Sequence, residues 1–329
     1  MRPGQEDWRG LIDAKDREIE RLNGIYVSML KKAGVELFTG DARFVDANTV
    51  EIGPSELAPD ADVQTVRAKN IVIATGGAPT RLDIPGAEHA IVSDDAFHLE
   101  NRPERVAIIG SGYIGIEFAG IFAGLGSQVD FVYRQDLPLR GFDEEMRRHI
   151  AELVPLNGIT SHPGSTPERI EKTSEGYNLH LKGGKVIETD CVFMATGRHP
   201  NLTSLRLDLA GVEVTDGRIV TRLEDAKTNV PGIYAIGDVT ATYNLTPTAI
   251  DEGHLLADRL FGETGREWSF GTTPKAVFFS QPLPAVGLTE QEAAEHHTPE
   301  IYTSSFTQKR QSLSGRKGNS YMPPVLEIC

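Results

Sequence analysis

Gly110-Ser111-Gly112-Tyr113-Ile114-Gly115 is the stretch of this chain best suited to hold an anion. The first glycine permits a tight turn, and the second lets the backbone approach a pyrophosphate. The third lets a helix pack closely on the preceding strand. A helix opening at Tyr113 aims its unpaired N–H groups and positive dipole end at that pyrophosphate. The alternative is a structural glycine turn. The flanking strand, helix and second strand favour dinucleotide binding. Such sites choose their nucleotide at the end of the second strand: an acid there holds ribose hydroxyls, whereas an arginine holds a 2′-phosphate. This chain carries Tyr133-Arg134 there and Arg140 six residues on. Two guanidiniums give fork-like, charge-assisted bonds to a phosphate. The missing acid favours NADPH over NADH, against the plainer reading of two surface arginines.

Asp238 follows Gly237 at the end of a short apolar run, Ile233 to Ile236. Ligands of open α/β sheets bind at strand C-termini, so this carboxylate is placed to hold a sugar-like hydroxyl. Taken alone, a turn aspartate would be the simpler reading. Leu245-Thr246-Pro247 opens a further helix, with Thr246 as N-cap and proline at the first position. Its positive end suits negative charge on a bound ring system. The two cysteines, Cys191 and Cys329, form no CxxC or CxxxxC pair. Neither a disulfide framework nor a metal site is suggested. Cys191, inside an apolar strand, reads as a buried small residue rather than a nucleophile.

The elements that must position these groups follow from apolar periodicity. Residues 8 to 33 read as a helix with Leu11, Ile12, Ile19, Leu22, Ile25, Met29 and Leu30 on one face, stopped by Gly34. Strands are expected over 35–44, 49–52 and 66–74, the last running into the breaker Thr75-Gly76-Gly77-Ala78-Pro79. The central βαβ unit comprises a strand over 105–110, a helix over 113–125 and a strand over 128–133. A helix over 143–156 follows. Strands over 177–181 and 185–192 are joined by Gly183-Gly184, a hairpin signal. Residues 190–197 repeat the pattern of 70–76, so the chain is expected to leave one domain and return to it. Strands over 275–279 and 285–288 come last, and from Gln308 the pattern decays.

Composition is that of a globular protein of two or three domains: 329 residues, 39% hydrophobic and 24% charged. A net charge of −14 argues against nucleic acid or an anionic membrane as partner. No apolar run approaches membrane-spanning length, and the first residues resemble no signal or transit peptide. The expected location is cytoplasmic.

Taken together, ATGGAPTRLDIPG, GSGYIGIEFAGIFAGLGSQVDFVYRQDLPLRGFD, ATGRHPN, NVPGIYAIGDV, LTPTAIDEGHLLADRLFG and VGLTEQEA resemble the class I pyridine-nucleotide disulfide oxidoreductases, and among them the glutathione reductases. The resemblance runs from about Trp8 to Phe306 in the family's order. It implies an α/β fold of Rossmann-like, three-layer ββα domains for FAD and NAD(P), with part of an α+β interface domain. The implied boundaries are 1–75 for a partial FAD domain, 76–200 for the NADPH domain, 201–268 for the return to the FAD domain and 269–329 for the interface domain. It implies FAD and NADPH as cofactors, a homodimer and oxidised glutathione as substrate. On the NADPH side it assigns Gly110, Gly112, Ile114, Gly115, Arg134, Arg140 and Gly197. Tyr113 resembles the tyrosine that gates the nicotinamide, and Glu117 the glutamate beside it. On the FAD side it assigns Ala74, Thr75, Gly76, Gly237, Asp238, Leu245, Thr246 and Pro247. Ile25 and Tyr26 match residues lining the glutathione cleft, and His254 stands where some glutathione reductases carry arginine.

The departures concern the second half of the chemistry. The family's first FAD strand, its CxxxxC disulfide, the lysine partner of Glu117 and the HPTxxE proton-transfer segment have no counterpart here. The residues of the NADPH step are kept and those of the disulfide step are not, so the chain alone is expected to be inactive with oxidised glutathione. Exposed edges and apolar surface are expected around the incomplete FAD domain. The rival readings are a non-catalytic NADPH-binding fragment and a relative such as dihydrolipoyl dehydrogenase or mercuric reductase. Dihydrolipoyl dehydrogenase would need an acid where Arg134 stands.

Overall fold

The computed structural model describes residues 7–222, 224–240, 244–262, 273–306 and 320–328. Cys329 lies outside them. Two compact units form: Met1–Lys15 with Pro79–Gly197 and Pro274–Cys329, and Asp16–Ala78 with Arg198–Thr273.

The first unit is built on a four-stranded parallel sheet, in the order Cys191–Met194, Arg105–Ile109, Gln128–Val132, Ile159–His162. Register is fixed by pairs such as Val106↔Val129 and Cys191↔Val106. One face carries Val106, Ile108, Val129 and Phe131, which pack with Ile116, Phe118 and Phe122 of helix Tyr113–Gly124 and Met146 and Ile150 of helix Glu144–Leu156. The other face carries Ala107, Ile109 and Val132. They pack on Ile170, Leu179, Leu181 and Ile187 of an antiparallel sheet made by Pro167–Thr173, Gly176–Leu181 and Val186–Thr189. The result is the expected three-layer arrangement of helices, parallel sheet and antiparallel sheet. Strands apolar on both faces are what a doubly covered parallel sheet demands. Asp143 caps the second helix, its Oδ1 accepting from Glu145 N–H at 2.9 Å. Later segments of the same unit are the hairpin Lys275–Phe278 with Pro282–Ala285 and the hairpin Pro299–Phe306 with Ser320–Ile328.

The second unit holds an antiparallel sheet of Asp41–Asp46, Thr49–Gly53 and Gln64–Arg67, and a parallel pair, Ile71–Ile73 with Ile233–Ala235. Phe44, Ile73, Leu205, Leu207, Val212, Ile219, Ile233 and Val239 form its core. The helix Trp8–Lys32, divided between the units at Lys15, buries none of its residues.

Several elements differ from the periodicity. The strand expected over 35–44 begins only at Asp41, because pairing starts at Asp41↔Gly53 and residues before it have no partner strand. The run 66–74 is two strands in different sheets: Gln64–Arg67 pairs with Thr49–Gly53, and Ile71–Ile73 with Ile233–Ala235. The run 185–192 is likewise split. Asp190 turns its carboxylate onto Arg105 N–H at 2.8 Å, and Cys191 then enters the parallel sheet. Thr246 is not the N-cap of its helix. Leu245 occupies that position, with no side-chain capping bond, and Thr246 already belongs to the helix. The late strand expected over 285–288 runs Pro282–Ala285 instead, in register with Lys275–Phe278. A strand also forms at Ser320–Ile328, where the sequence pattern had decayed. Among the described residues no helix is long and apolar enough to cross a membrane.

Candidate functional site: a nucleotide cradle and a strand-end carboxylate

Gly110 ends its strand at φ 111°, and a Cβ there would lie 2.2 Å from the Ala195 carbonyl oxygen. A Cβ on Gly115 would lie 2.1 Å from the Gly110 oxygen. Both positions require glycine for backbone packing. Gly112 differs. It is the N-cap of helix Tyr113–Gly124, makes no side-chain capping bond, and a Cβ there would meet nothing within 4 Å. Space is therefore open beside Gly112 at the start of this helix, as a pyrophosphate cradle requires.

Arg134 and Arg140 lie exposed at the two ends of the loop after strand Gln128–Val132, and neither forms an ion pair among the described residues. Two devices hold this loop. Leu139 N–H donates to Ser111 O at 2.8 Å, tying the loop to the glycine turn. Arg147 reaches from its helix to Pro138 O at 2.8 Å (through Nε) and to Leu137 O at 2.9 Å (through Nη2). Leu139 sits at φ 55°, a conformation that costs about 1–3 kcal/mol and persists because its side chain is buried and its N–H engaged. Sequence reasoning missed both residues. The only signals were an apolar residue beside Arg140 and an arginine one turn into the next helix.

Tyr113 and Ile114 are half-buried beside the core. Glu117 Oε1 accepts from Phe278 N–H at 2.9 Å. Burial pushes its carboxyl above the ordinary range, and that N–H only partly offsets the rise. Gly197, at φ 122°, is exposed, and its carbonyl accepts from Thr80 N–H at 2.9 Å.

In the second unit, Asp238 lies in the turn Gly237–Val239 that ends strand Ile233–Ala235. A Cβ on Gly77 would fall 3.3 Å from Asp238 Oδ2, so glycine leaves that carboxylate room. Gly76 O accepts from Asn201 N–H at 2.9 Å, and Thr75 Oγ1 donates to Asn201 O at 2.8 Å. Ala74 is exposed beside them. Gly237 N–H donates to the carboxylate of Glu252, a fully buried acid on helix Thr246–Phe261 that sequence reasoning overlooked. Leu245, Thr246 and Pro247 begin that helix without a capping side chain, and the buried Thr248 hydroxyl in its first turn has no hydrogen-bond partner among the described residues. An uncapped helix start with an unpartnered hydroxyl suits the polar edge of a bound ring. His254 is exposed on the same helix, and Ile25 and Tyr26 are exposed on helix Trp8–Lys32. No hydrogen bond joins these three. Among the described residues no group of His, Cys, Asp and Glu could hold a metal ion.

This geometry defines an α/β protein with a glycine turn at a helix start and an arginine-bearing loop tied to it. The family model for pyridine nucleotide-disulphide oxidoreductases matches residues 3–253, and the chain belongs to that family. It is 40% identical to a glutathione reductase of Nostoc sp. over 98% of this chain and 71% of that one. Identity is 42% to the chloroplastic/mitochondrial glutathione reductase of Pisum sativum, over 98% of this chain and 57% of the relative. A trypanothione reductase of Leishmania donovani is 40% identical over 97% of this chain and 66% of its own length. The chain therefore spans from 57 to 71% of the length of these three relatives. Among solved structures, the Cu(II) complex of the HOCl-induced flavoprotein disulfide reductase RclA from Escherichia coli superposes with a TM-score of 0.86. Sequence identity there is 25%, covering 95% of this chain and 71% of that one. Membership makes this an oxidoreductase chain of the disulfide-reductase type, with FAD and NADPH as its cofactors.

Proposed function

We propose that this chain carries the NADPH-reading and flavin-holding part of a glutathione-disulfide reductase that works as a homodimer. The observation that carries the reading is the pair Arg134 and Arg140, exposed and without an ion pair among the described residues, on a loop fixed to the glycine turn by the 2.8 Å bond from Leu139 N–H to Ser111 O. Free guanidiniums held beside a pyrophosphate cradle suit a 2′-phosphate. Gly112 and the first helical turn would take the pyrophosphate, with Ile114 and Gly197 alongside. Tyr113 would cover the nicotinamide pocket. Glu117, half-buried with its carboxyl range raised, would hold a hydrogen bond there. Asp238 would hold a ribityl hydroxyl of FAD, with Ala74, Thr75, Gly76 and Gly237 shaping the backbone around it. The helix start at Leu245, Thr246 and Pro247 would face the flavin's polar edge. Ile25, Tyr26 and His254 are proposed contacts for glutathione. When bound, FAD supplies the two-electron acceptor for the hydride of NADPH.

The disulfide half needs a reactive thiolate. Burial, with the negative charge of Asp190, pushes the Cys191 thiol up to about 12, so this cysteine is no nucleophile. The chain by itself is expected not to turn over oxidised glutathione. Fluorescence titration with NADPH and with NADH tests the cofactor reading. Arg134→Ala is expected to weaken NADPH about tenfold and leave NADH unchanged, the size of one lost phosphate contact (~1.4 kcal/mol). Equal losses for both nucleotides would overturn it.

A further inference from the structure

Outside the cradle, the first unit contains a chain of three titratable groups, centred on a buried histidine, that the cofactor chemistry does not use. His162, 6% exposed at its side chain, ends the edge strand of the parallel sheet. Its Nε2 lies 2.6 Å from Asp130 Oδ1, and its Nδ1 lies 2.8 Å from Lys185 Nζ. An ammonium donates and cannot accept, so Nδ1 is the acceptor and Nε2 carries the proton given to Asp130. The two partners thus hold the ring from both sides. Its partners come from different elements: Asp130 from strand Gln128–Val132, and Lys185 from the turn between strands Gly176–Leu181 and Val186–Thr189.

The backbone beyond His162 is laced to the segment that carries Arg134. Tyr133 N–H donates to His162 O at 3.2 Å. Ser165 N–H donates to Tyr133 O at 2.9 Å, and Gly164 N–H donates to Gln135 O at 3.2 Å. Both neighbours of Arg134 are therefore held by His162 and by Gly164 and Ser165, which follow it closely. The turn bearing Lys185 is fixed to the same strip, since Lys182 N–H donates to Thr166 O at 2.9 Å.

We propose that Lys185, His162 and Asp130 act as positioning residues for cofactor discrimination: by fixing the edge strand's exit, they hold the Arg134 backbone where its guanidinium meets the 2′-phosphate. This rests on the NADPH reading above. A chain that served only to join the two sheets would support both nucleotides alike. One that acts through Arg134 affects only the nucleotide that carries the phosphate.

The test uses the full chain with Lys185→Met and His162→Leu, and Lys185→Arg as the conservative variant. NADPH and NADH affinities are measured by fluorescence titration. Lys185→Met and His162→Leu are expected to weaken NADPH about tenfold (~1.4 kcal/mol) with NADH within about twofold, and Lys185→Arg to restore most of the preference. Parallel losses for both nucleotides, or no loss for either, overturn the proposal. Hydrogen exchange without nucleotide gives an independent arm. Lys185→Met should speed exchange at the Tyr133, Gly164 and Ser165 amides and leave Gly110 and Leu139 unchanged; unaltered exchange at the first three overturns the proposal. Wild-type protein that binds NADH as tightly as NADPH overturns the NADPH reading and the discriminating role together. The exchange pattern distinguishes that failure, because faster exchange at those amides in Lys185→Met shows that Lys185 supports the lacing whichever nucleotide is bound.

Discussion

The region 105–162 and the helix Trp8–Lys32 are both richly apolar, and they end differently. In the first, strand, helix and strand follow each other closely, so each apolar face meets its cover within a few dozen residues. Phe122, Phe131 and Phe193 are all but inaccessible, and Phe118 contacts Phe193 at 4.7 Å between ring centroids. In the second, Ile19 is 51% exposed and Tyr26 62%, and no residue of the helix is buried. Helical spacing tells which face of an element is apolar; it does not tell what covers that face. A βαβ unit carries its own cover in the adjoining chain, whereas a long helix needs a partner from elsewhere.

The largest effect that would sharpen this contrast is on stability. Phe122→Ala, which also removes the stack on Trp8, should cost about 3–5 kcal/mol, and Ile19→Ala no more than about 0.5 kcal/mol. Urea unfolding followed by circular dichroism measures both. A comparable cost at Ile19 would mean that the helix is covered in solution and would erase the contrast. Next in size is Gly110→Ala. Its Cβ would strike the Ala195 carbonyl, and the φ of 111° disfavours any side chain, so a cost of about 1–3 kcal/mol and loss of nucleotide binding are expected. By contrast, Gly112→Ala has room and should fold normally while weakening the pyrophosphate contact. Titration of both variants with NADPH, alongside their melting points, separates the structural glycine from the ligand-facing one.

The central unit was legible almost to the residue because its signals are local. Apolar runs, a glycine turn and a helical period lie within one window of chain. The second unit was harder to read because its pairings are distant. Residues 66–74 form one apolar run, yet Val66 pairs with Val50 and Val72 with Tyr234, and periodicity carries no mark at a change of partner. Val35, Leu37 and Phe38 look like a strand and are not one, since a strand needs a neighbour to satisfy its backbone. Of the candidate site, the glycines, arginines and Asp238 were visible as residue types. The supports were not. Leu139, Arg147 and Glu252 act through backbone atoms that only the folded chain brings near, as does the Lys185–His162–Asp130 chain.

A smaller effect, in pH, compares the two ends of the central sheet edge. Burial raises the Asp190 carboxyl, but the Arg105 guanidinium at 2.6 Å, the Arg105 N–H and the charge of Arg105 together hold it below the ordinary range. A carboxyl whose folded value is depressed adds stability above its unfolded value of about 3.9, and that stability is lost as pH falls through the folded value. Asp190→Asn should therefore lower stability at neutral pH, where the pair contributes in full, and flatten the acid limb of unfolding below roughly pH 4, where the contribution is already lost. An unchanged acid limb would mean that the pair with Arg105 adds nothing.

The smallest expected effect lies one residue further on. Burial first, and the Asp190 charge second, push Cys191 up to about 12. A thiol whose folded value is raised contributes stability that is fully present below its unfolded value of about 8.5 and is lost as pH rises from there towards the folded value. Native protein at pH near 8.5 should leave Cys191 unmodified by iodoacetamide, read by mass spectrometry of its peptide, while denatured protein is alkylated. Asp190→Asn removes the charge and keeps the burial, so it should lower the thiol only slightly and leave native Cys191 protected. Rapid alkylation in that variant would show that the charge, not the parallel sheet's closed face, protects the thiol. It would then be the well-covered unit, rather than the open helix, that needs a new account.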